Sequence, residues 1–233
     1  MCAFNIICKN NGICNFNRTS NVYICQCVGN FYGPNCQYQP LNSTTFINST
    51  ILTQELGVSL MNLIGVPLNS VATRVYQGST HGFGAANFHS KVDGIIGTLS
   101  VIKSTTGSIF GGFTMMHWGL PTTYYTDPSA FIFSLVNQMN YPSLARNIKQ
   151  PTINSVYTHA PYGPTFGGGH DMHVADQSNA NTNSYTNFGH TYALDNLTLF
   201  NSWNQSIKST FLTGAYNFQT VEIEVYTSKY NFN

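Results

Sequence analysis

Apolar positions along this chain change their period several times, and the changes mark its elements. After Thr53, residues Leu56, Leu60, Leu63 and Ile64 recur on one helical face, with Thr53 placed to cap the first turn and Gly65 and Pro67 placed to end it. The spacing predicts a short helix. From Val71 onward the pattern becomes short apolar or alternating runs divided by glycine-bearing turns. Thr98 to Lys103, the turn Ser104-Thr105-Thr106-Gly107 and Ser108 to Thr114 predict a hairpin. Ala130 to Leu135 follows Asp127-Pro128, which offers a helix start, but Phe131, Phe133 and Leu135 alternate and predict a strand. Near the end, Val221, Ile223 and Val225 share one face of a predicted strand and Glu222 and Glu224 the other. Such a series of short strands reads as the hairpins of a β-sandwich. No apolar run approaches the roughly 18 residues needed to cross a bilayer.

The first 36 residues follow a different rule. They hold all six cysteines of the chain, Cys2, Cys8, Cys14, Cys25, Cys27 and Cys36. An even, closely spaced set reads as a disulfide framework made in an oxidising compartment, so the expected address is the cell exterior or a lumen. Spacing alone leaves the pairing open. Pro40 and the Ser/Thr content of Gln37 to Thr50 mark an exposed linker. The predicted organisation is a disulfide module over 1–36, a linker over 37–47, a sandwich over 48–227 and a tail over 228–233. Met1-Cys2 lacks the basic and apolar regions of a leader, so the expectation is a processed chain or a piece of a longer precursor.

Only 7% of the residues are charged and the net charge is +1, whereas Asn, Thr and Ser number 27, 25 and 20. Ordinary soluble domains carry roughly 25% charged residues. The polar surface is therefore amide and hydroxyl, and charge repulsion does little to keep copies apart. Nine scattered Lys and Arg residues argue against a nucleic-acid partner. N-glycosylation triplets begin at Asn17, Asn42, Asn48, Asn196 and Asn204, and those at Asn42 and Asn48 fall in the linker.

Two resemblances add to this reading. Cys25-Gln26-Cys27-Val28-Gly29-Asn30-Phe31-Tyr32-Gly33-Pro34-Asn35-Cys36 resembles the closing hairpin of the EGF-like module, with Asn30 where glycine is usual. That resemblance implies the pairs Cys2 with Cys14, Cys8 with Cys25 and Cys27 with Cys36. Some EGF-like modules bind calcium through acidic residues, but Cys2 to Cys36 contains no Asp or Glu, so no calcium site is expected. Over roughly Asn48 to Thr227 the chain resembles the TLDc domain. The motifs include Phe88-His89-Ser90-Lys91, Phe110-Gly111-Gly112-Phe113-Thr114 with Trp118, Tyr162-Gly163-Pro164-Thr165-Phe166-Gly167, Gly169-His170-Asp171, and Phe211-Leu212-Thr213-Gly214 leading to Val221 to Tyr226. The resemblance implies a two-sheet β-sandwich flanked by helices. Familiar members of that family are intracellular and linked to oxidation resistance and the vacuolar proton pump; the disulfide framework points to another address.

Candidate chemistry is sparse. His170-Asp171-Met172-His173 puts two imidazoles and a carboxylate within four residues, but metal sites need three or four converging ligands, so a glycine-rich turn leading into a strand is expected instead. His89, His170 and His190 are expected to hydrogen-bond inside the sandwich. Glu222 and Glu224 could suggest an acid and base pair for sugar hydrolysis, yet neighbours on one strand face lie about 7 Å apart, and solvated or interface glutamates are expected. No Gly-x-Ser-x-Gly elbow occurs, and no cysteine remains beyond the module for thiol catalysis. No catalytic residue, metal or cofactor is therefore expected.

Two functional classes follow. The first is a structural glycoprotein, a self-assembling subunit of a surface filament, fibre or matrix such as a flagellar hair. Its copies would join through heterologous contacts built from Phe31 and Tyr32, and it would carry N-linked and O-linked glycans. The second is an adhesin or receptor fragment that binds a glycan or protein, for which the loop Gln177 to Asn187 supplies one aromatic, Tyr185. A glycan-active hydrolase or a proton-pump partner ranks below both. Mass spectrometry without reduction is expected to find all six cysteines paired within residues 2–36 and a glycan on Asn42 or Asn48; free thiols would remove the extracellular assignment.

Overall fold

The computed structural model describes residues 8–9, 11–17, 22–28, 35–36, 46, 48–67, 70–147 and 153–228. Strands β1 (Ile13–Asn17) and β2 (Val22–Gln26) form an antiparallel hairpin in which Cys14 faces Cys25. Disulfides join Cys8 to Cys25 and Cys27 to Cys36. Cys14 is also disulfide-bonded, and its expected partner Cys2 lies outside the described residues. So do Phe31, Tyr32 and Asn42.

The remaining elements build two antiparallel sheets. In chain order they are α1 (Gln54–Ile64), β3 (Ala72–Gln77), α2 (Gly78–His81), α3 (Ala85–Val92), β4 (Thr98–Ser104), β5 (Ile109–Thr114), β6 (Thr123–Tyr125), β7 (Phe131–Val136), β8 (Ser143–Asn147) and β9 (Val156–Thr158). There follow β10 (Thr165–Phe166), β11 (Met172–His173), β12 (Ser184–Tyr185), β13 (Tyr192–Leu194), α4 (Leu197–Ser202), α5 (Gln205–Thr210), β14 (Asn217–Phe218) and β15 (Thr220–Ser228). The seven-stranded sheet has the order β13-β8-β7-β5-β4-β15-β3, and the six-stranded sheet β14-β12-β11-β10-β9-β6. Among the described residues no helix is long and apolar enough to cross a membrane.

Local chemistry explains the elements read from sequence. The Thr53 hydroxyl accepts from the Leu56 amide, and Gly65 takes the left-handed conformation that ends α1. Gly107, at φ 85°, turns β4 into β5 and donates to the Ser104 carbonyl. Ala130 to Leu135 supplies β7, a strand because it is buried on both faces. Its Phe131, Phe133 and Leu135 pack beneath α1, while Ile132 joins the layer between the sheets. Two glycines of β5 are closely packed. A Cβ on Gly112 would sit 2.8 Å from the Phe166 ring of the opposite sheet, and one on Gly111 only 1.9 Å from the Ser100 carbonyl. Phe166 also meets Trp118 edge-on, and the Trp118 indole donates to Thr98.

The structure corrects two boundaries. Phe46, assigned to the linker, is buried with its ring 4.9 Å from that of Tyr226. Ser228, assigned to the tail, still pairs with Ala72 at the end of β15. A third correction concerns the two glutamates, which are buried rather than solvated: Glu222 is 6% and Glu224 0% exposed, while Val221 is 49% exposed. Residues 48–52 cover their face. Glu224 accepts from the Ser49 hydroxyl at 2.5 Å, the Thr50 amide at 2.8 Å and the Tyr226 hydroxyl at 2.8 Å, and pairs with Arg74 at 2.9 Å. Glu222 accepts from the Ser79 amide and hydroxyl, the Ile223 amide and Gln77. Burial pushes its carboxyl up, but those bonds outweigh burial and hold it below its ordinary value.

Removing one partner of a buried charge pair strands the other, so Glu224→Ala is expected to cost about 3 kcal/mol in urea unfolding. Hydrogen exchange should quicken at the Thr50 amide, which Glu224 accepts. Val221→Ser, at the exposed register irregularity where β15 begins to pair with β4, is expected to stay within about 0.5 kcal/mol of wild type.

Candidate functional site

The face of the six-stranded sheet turned away from the core gathers His and Tyr side chains from several strands. Its centre is the turn between β10 and β11, where Thr165 faces His173 and Phe166 faces Met172. Gly167 and Gly169 have φ of 87° and 119°, and His170 itself has φ 57°. Glycine is required at Gly167 because a Cβ would lie 2.0 Å from a carboxylate oxygen of Asp171. That carboxylate turns inward and accepts the backbone amides of Gly189, His190, Thr191 and Tyr192 at 3.0–3.1 Å. Burial pushes Asp171 up to about 6, against the opposing pull of those amides. Asp171 thus pins the turn from below and Met172 enters the core. The two imidazoles stay on the outer face.

The candidate metal cluster is therefore divided by the turn. His170 and His173 lie ring to ring at 5.4 Å, Asp171 belongs to the other side, and no group of three or more metal-ligating side chains occurs among the described residues. His89, expected inside the sandwich, lies on α3, 2.7 Å from Asp93 and 3.0 Å from the Tyr162 carbonyl. His190, expected inside, is exposed.

Strand register extends the two imidazoles into a continuous cluster of rings. His173 faces Tyr185 across β11 and β12, with centroids 5.0 Å apart. Tyr124 faces Tyr157 across β6 and β9, at 4.7 Å. Tyr157 reaches His170 at 5.0 Å, and Tyr185 stacks on Tyr216 at 5.7 Å and 12°. Tyr162 closes against His173 at 4.3 Å and His159 at 4.7 Å. Opposite rings on one sheet face stabilise each other as cross-strand pairs.

Burial pushes the Tyr185 phenol up to about 12, so its hydroxyl stays protonated and meets His170 Nδ1 at 2.7 Å. Burial also lowers His170; together with the neighbouring His170 it lowers His173 to about 3. At neutral pH both imidazoles are uncharged. Among the described residues no Asp, Glu, Lys or Arg hydrogen-bonds to a ring of the row running from Tyr124 through Tyr157, His170, His173 and Tyr185 to Tyr216.

The sequence pattern marks His170 and His173 as a pair and Tyr185 apart from them, and carries no signal that joins Tyr124, Tyr157, His159, Tyr162 and Tyr216 to them. Strands of two or three residues are too short to display a period, so no local signal assigns their faces. Tyr185, read as part of a loop, lies in β12. The glycosylation triplets are spread elsewhere. Asn196 and Asn204 are exposed caps of α4 and α5 whose side-chain oxygens accept from Leu199 and Ile207, bonds that do not use the nitrogen to which a glycan attaches. Asn48 is exposed, and Asn17 lies in β1.

The fold now has its counterpart among known proteins. The family model of the TLDc domain matches residues 45–229, and the chain belongs to that family. No curated protein matches it in sequence.

The depressed His173 gives a pH test. A histidine held below its ordinary value contributes stability that is complete above the unfolded value of 6.5 and is lost as pH falls toward 3, because the unfolded chain takes the proton first. Asp171, raised by burial, acts in the opposite sense between its ordinary value and about 6. Comparison with His173→Gln isolates the histidine. Between pH 6.5 and 3 wild type should lose up to about 1.4 kcal/mol per pH unit relative to the variant; parallel urea-unfolding curves across that range would contradict a buried neutral imidazole.

Proposed function

We propose that this chain is an extracellular, non-enzymatic contact protein, an EGF-like disulfide module joined to a TLDc sandwich that meets its partner through the ring-lined outer sheet. The observation that carries this reading is the continuous run of Tyr and His rings, whose end members Tyr124 and Tyr216 are 37% and 45% exposed. Tyrosine combines a rigid apolar body with a polar tip, which suits it to surfaces that are wet alone and covered when bound. Disulfides support the extracellular address. A non-enzymatic role is supported by the engagement of Glu222, Glu224 and Asp171, which all hold backbone or side-chain donors of the fold.

A self-assembling subunit of a filament, fibre or matrix is the second reading, favoured by the 7% charged residues and net charge of +1. It uses the same face, or Phe31 and Tyr32, against the next copy.

The test is the double variant Tyr157→Ser with Tyr185→Ser, checked for folding by circular dichroism. Attachment of tagged, secreted protein to the surface and matrix of the cells that make it is expected to fall by at least about tenfold. Wild-type attachment by the folded variant would overturn the assigned face. Electron microscopy and sedimentation separate the two readings: ordered fibres lost in the variant favour the subunit, and discrete monomers favour the adhesin-type protein.

A further inference from the structure

The ring row has features that specify what it holds. Successive centroids from Tyr124 to Tyr157, His170, His173, Tyr185 and Tyr216 are 4.7, 5.0, 5.4, 5.0 and 5.7 Å apart. The row runs across the strands, whose spacing of about 4.8 Å sets this step. Each step is close to the length of one sugar ring in an extended chain. The hydroxyls of Tyr124, Tyr157 and Tyr216 make no hydrogen bond to any described residue, so they are available to a ligand.

Taking the contact reading above as its basis, we infer that the outer face binds a neutral, extended oligosaccharide several sugars long, laid along the row from Tyr124 to Tyr216. The C–H faces of the sugars stack on the phenol rings of Tyr124, Tyr157, Tyr185 and Tyr216, while their hydroxyls exchange hydrogen bonds with the ring tips; His173, 4% exposed and covered by Tyr162, supports the row from within. This ligand class matches both halves of each side chain. A phosphate, acidic peptide or nucleic acid is recognised through Lys and Arg, which number only nine, scattered along the chain. The imidazoles do not substitute for them, since burial keeps His170 and His173 neutral at pH 7. A protein partner is left as an outcome of the test. The row's length also predicts chain-length dependence: a single sugar covers one step, and a longer chain engages several at once.

The test is calorimetric titration of the full chain with cellohexaose, chitohexaose and mannohexaose, and with the corresponding monosaccharides. At least one hexasaccharide is expected to bind saturably in the micromolar to millimolar range, at least about tenfold more tightly than its monosaccharide. Raising salt to about 0.5 M should leave that affinity within about twofold, as for a contact without charges. Tyr157→Ala and Tyr185→Ala should each weaken it by about tenfold, and Tyr157→Phe, which keeps the ring and loses the hydroxyl, by less. Val221→Ser, at the exposed register irregularity near the start of β15 in the other sheet, should bind as wild type. Absence of saturable binding by all three hexasaccharides would overturn the inference, as would binding that salt abolishes or that ignores the tyrosine substitutions. If no hexasaccharide binds but the Tyr157→Ser and Tyr185→Ser variant still loses attachment, the face is a protein contact. The saccharide assignment then falls while the contact reading stands.

Discussion

Insertion of β15 between β3 and β4 is the constraint from which the rest of the sandwich follows. β3 comes early in the chain, yet its hydrogen-bonded neighbour is the last strand, so the seven-stranded sheet is incomplete until the C-terminal segment arrives. The two faces of β15 do different work. Ile223 and Val225 enter the layer between the sheets, and Glu222, Glu224 and Tyr226 receive the segment that leads out of the linker. A buried carboxylate with several donors specifies one docking arrangement more strictly than an apolar contact does, because any other arrangement leaves a charge unpaired. The N-terminal segment, Arg74, α2 and the final strand are thereby fixed as one unit.

The second sheet is made differently. Its strands are two or three residues long, and three of them are joined by turns that depend on positive φ and on side-chain support from below. Asp171 provides that support by gathering four successive amides of the segment 189–192. Phe166 and Met172 tie the same turn to the core, with Gly112 leaving room for the Phe166 ring. A rigid underside is what allows the outside to hold a row of rings at regular steps: side chains on long loops would lose more conformational freedom on contact.

Membership of the TLDc family defines the scaffold, and function belongs to the site carried on it. The N-terminal disulfides and the ring-lined sheet face are what this chain adds to that scaffold. The two are consistent in chemistry. A chain poor in charge but rich in Asn, Ser, Thr and Tyr presents amide and hydroxyl groups to water in place of charges.

Elements set by neighbours in sequence were legible without coordinates. Thr53 and Gly65 bound α1, Gly107 turns β4 into β5, and the alternating Phe131, Phe133 and Leu135 give β7, because capping, turning and strand alternation act over a few residues. Family resemblance likewise pointed to the two-sheet architecture. The glutamates were read on the correct shared face but in the wrong environment: strand period fixes which residues share a face, while only the folded chain decides whether residues 48–52 cover it. The ring row was hidden for a related reason. Tyr124, Tyr157, His170, His173, Tyr185 and Tyr216 are scattered over more than a third of the chain, and strand pairing, a long-range property, brings them together. The sequence by itself determined the local elements, the oxidising chemistry and the low charge. The tertiary structure alone decided which polar groups are buried and which rings meet, since both depend on contacts between residues far apart in the chain.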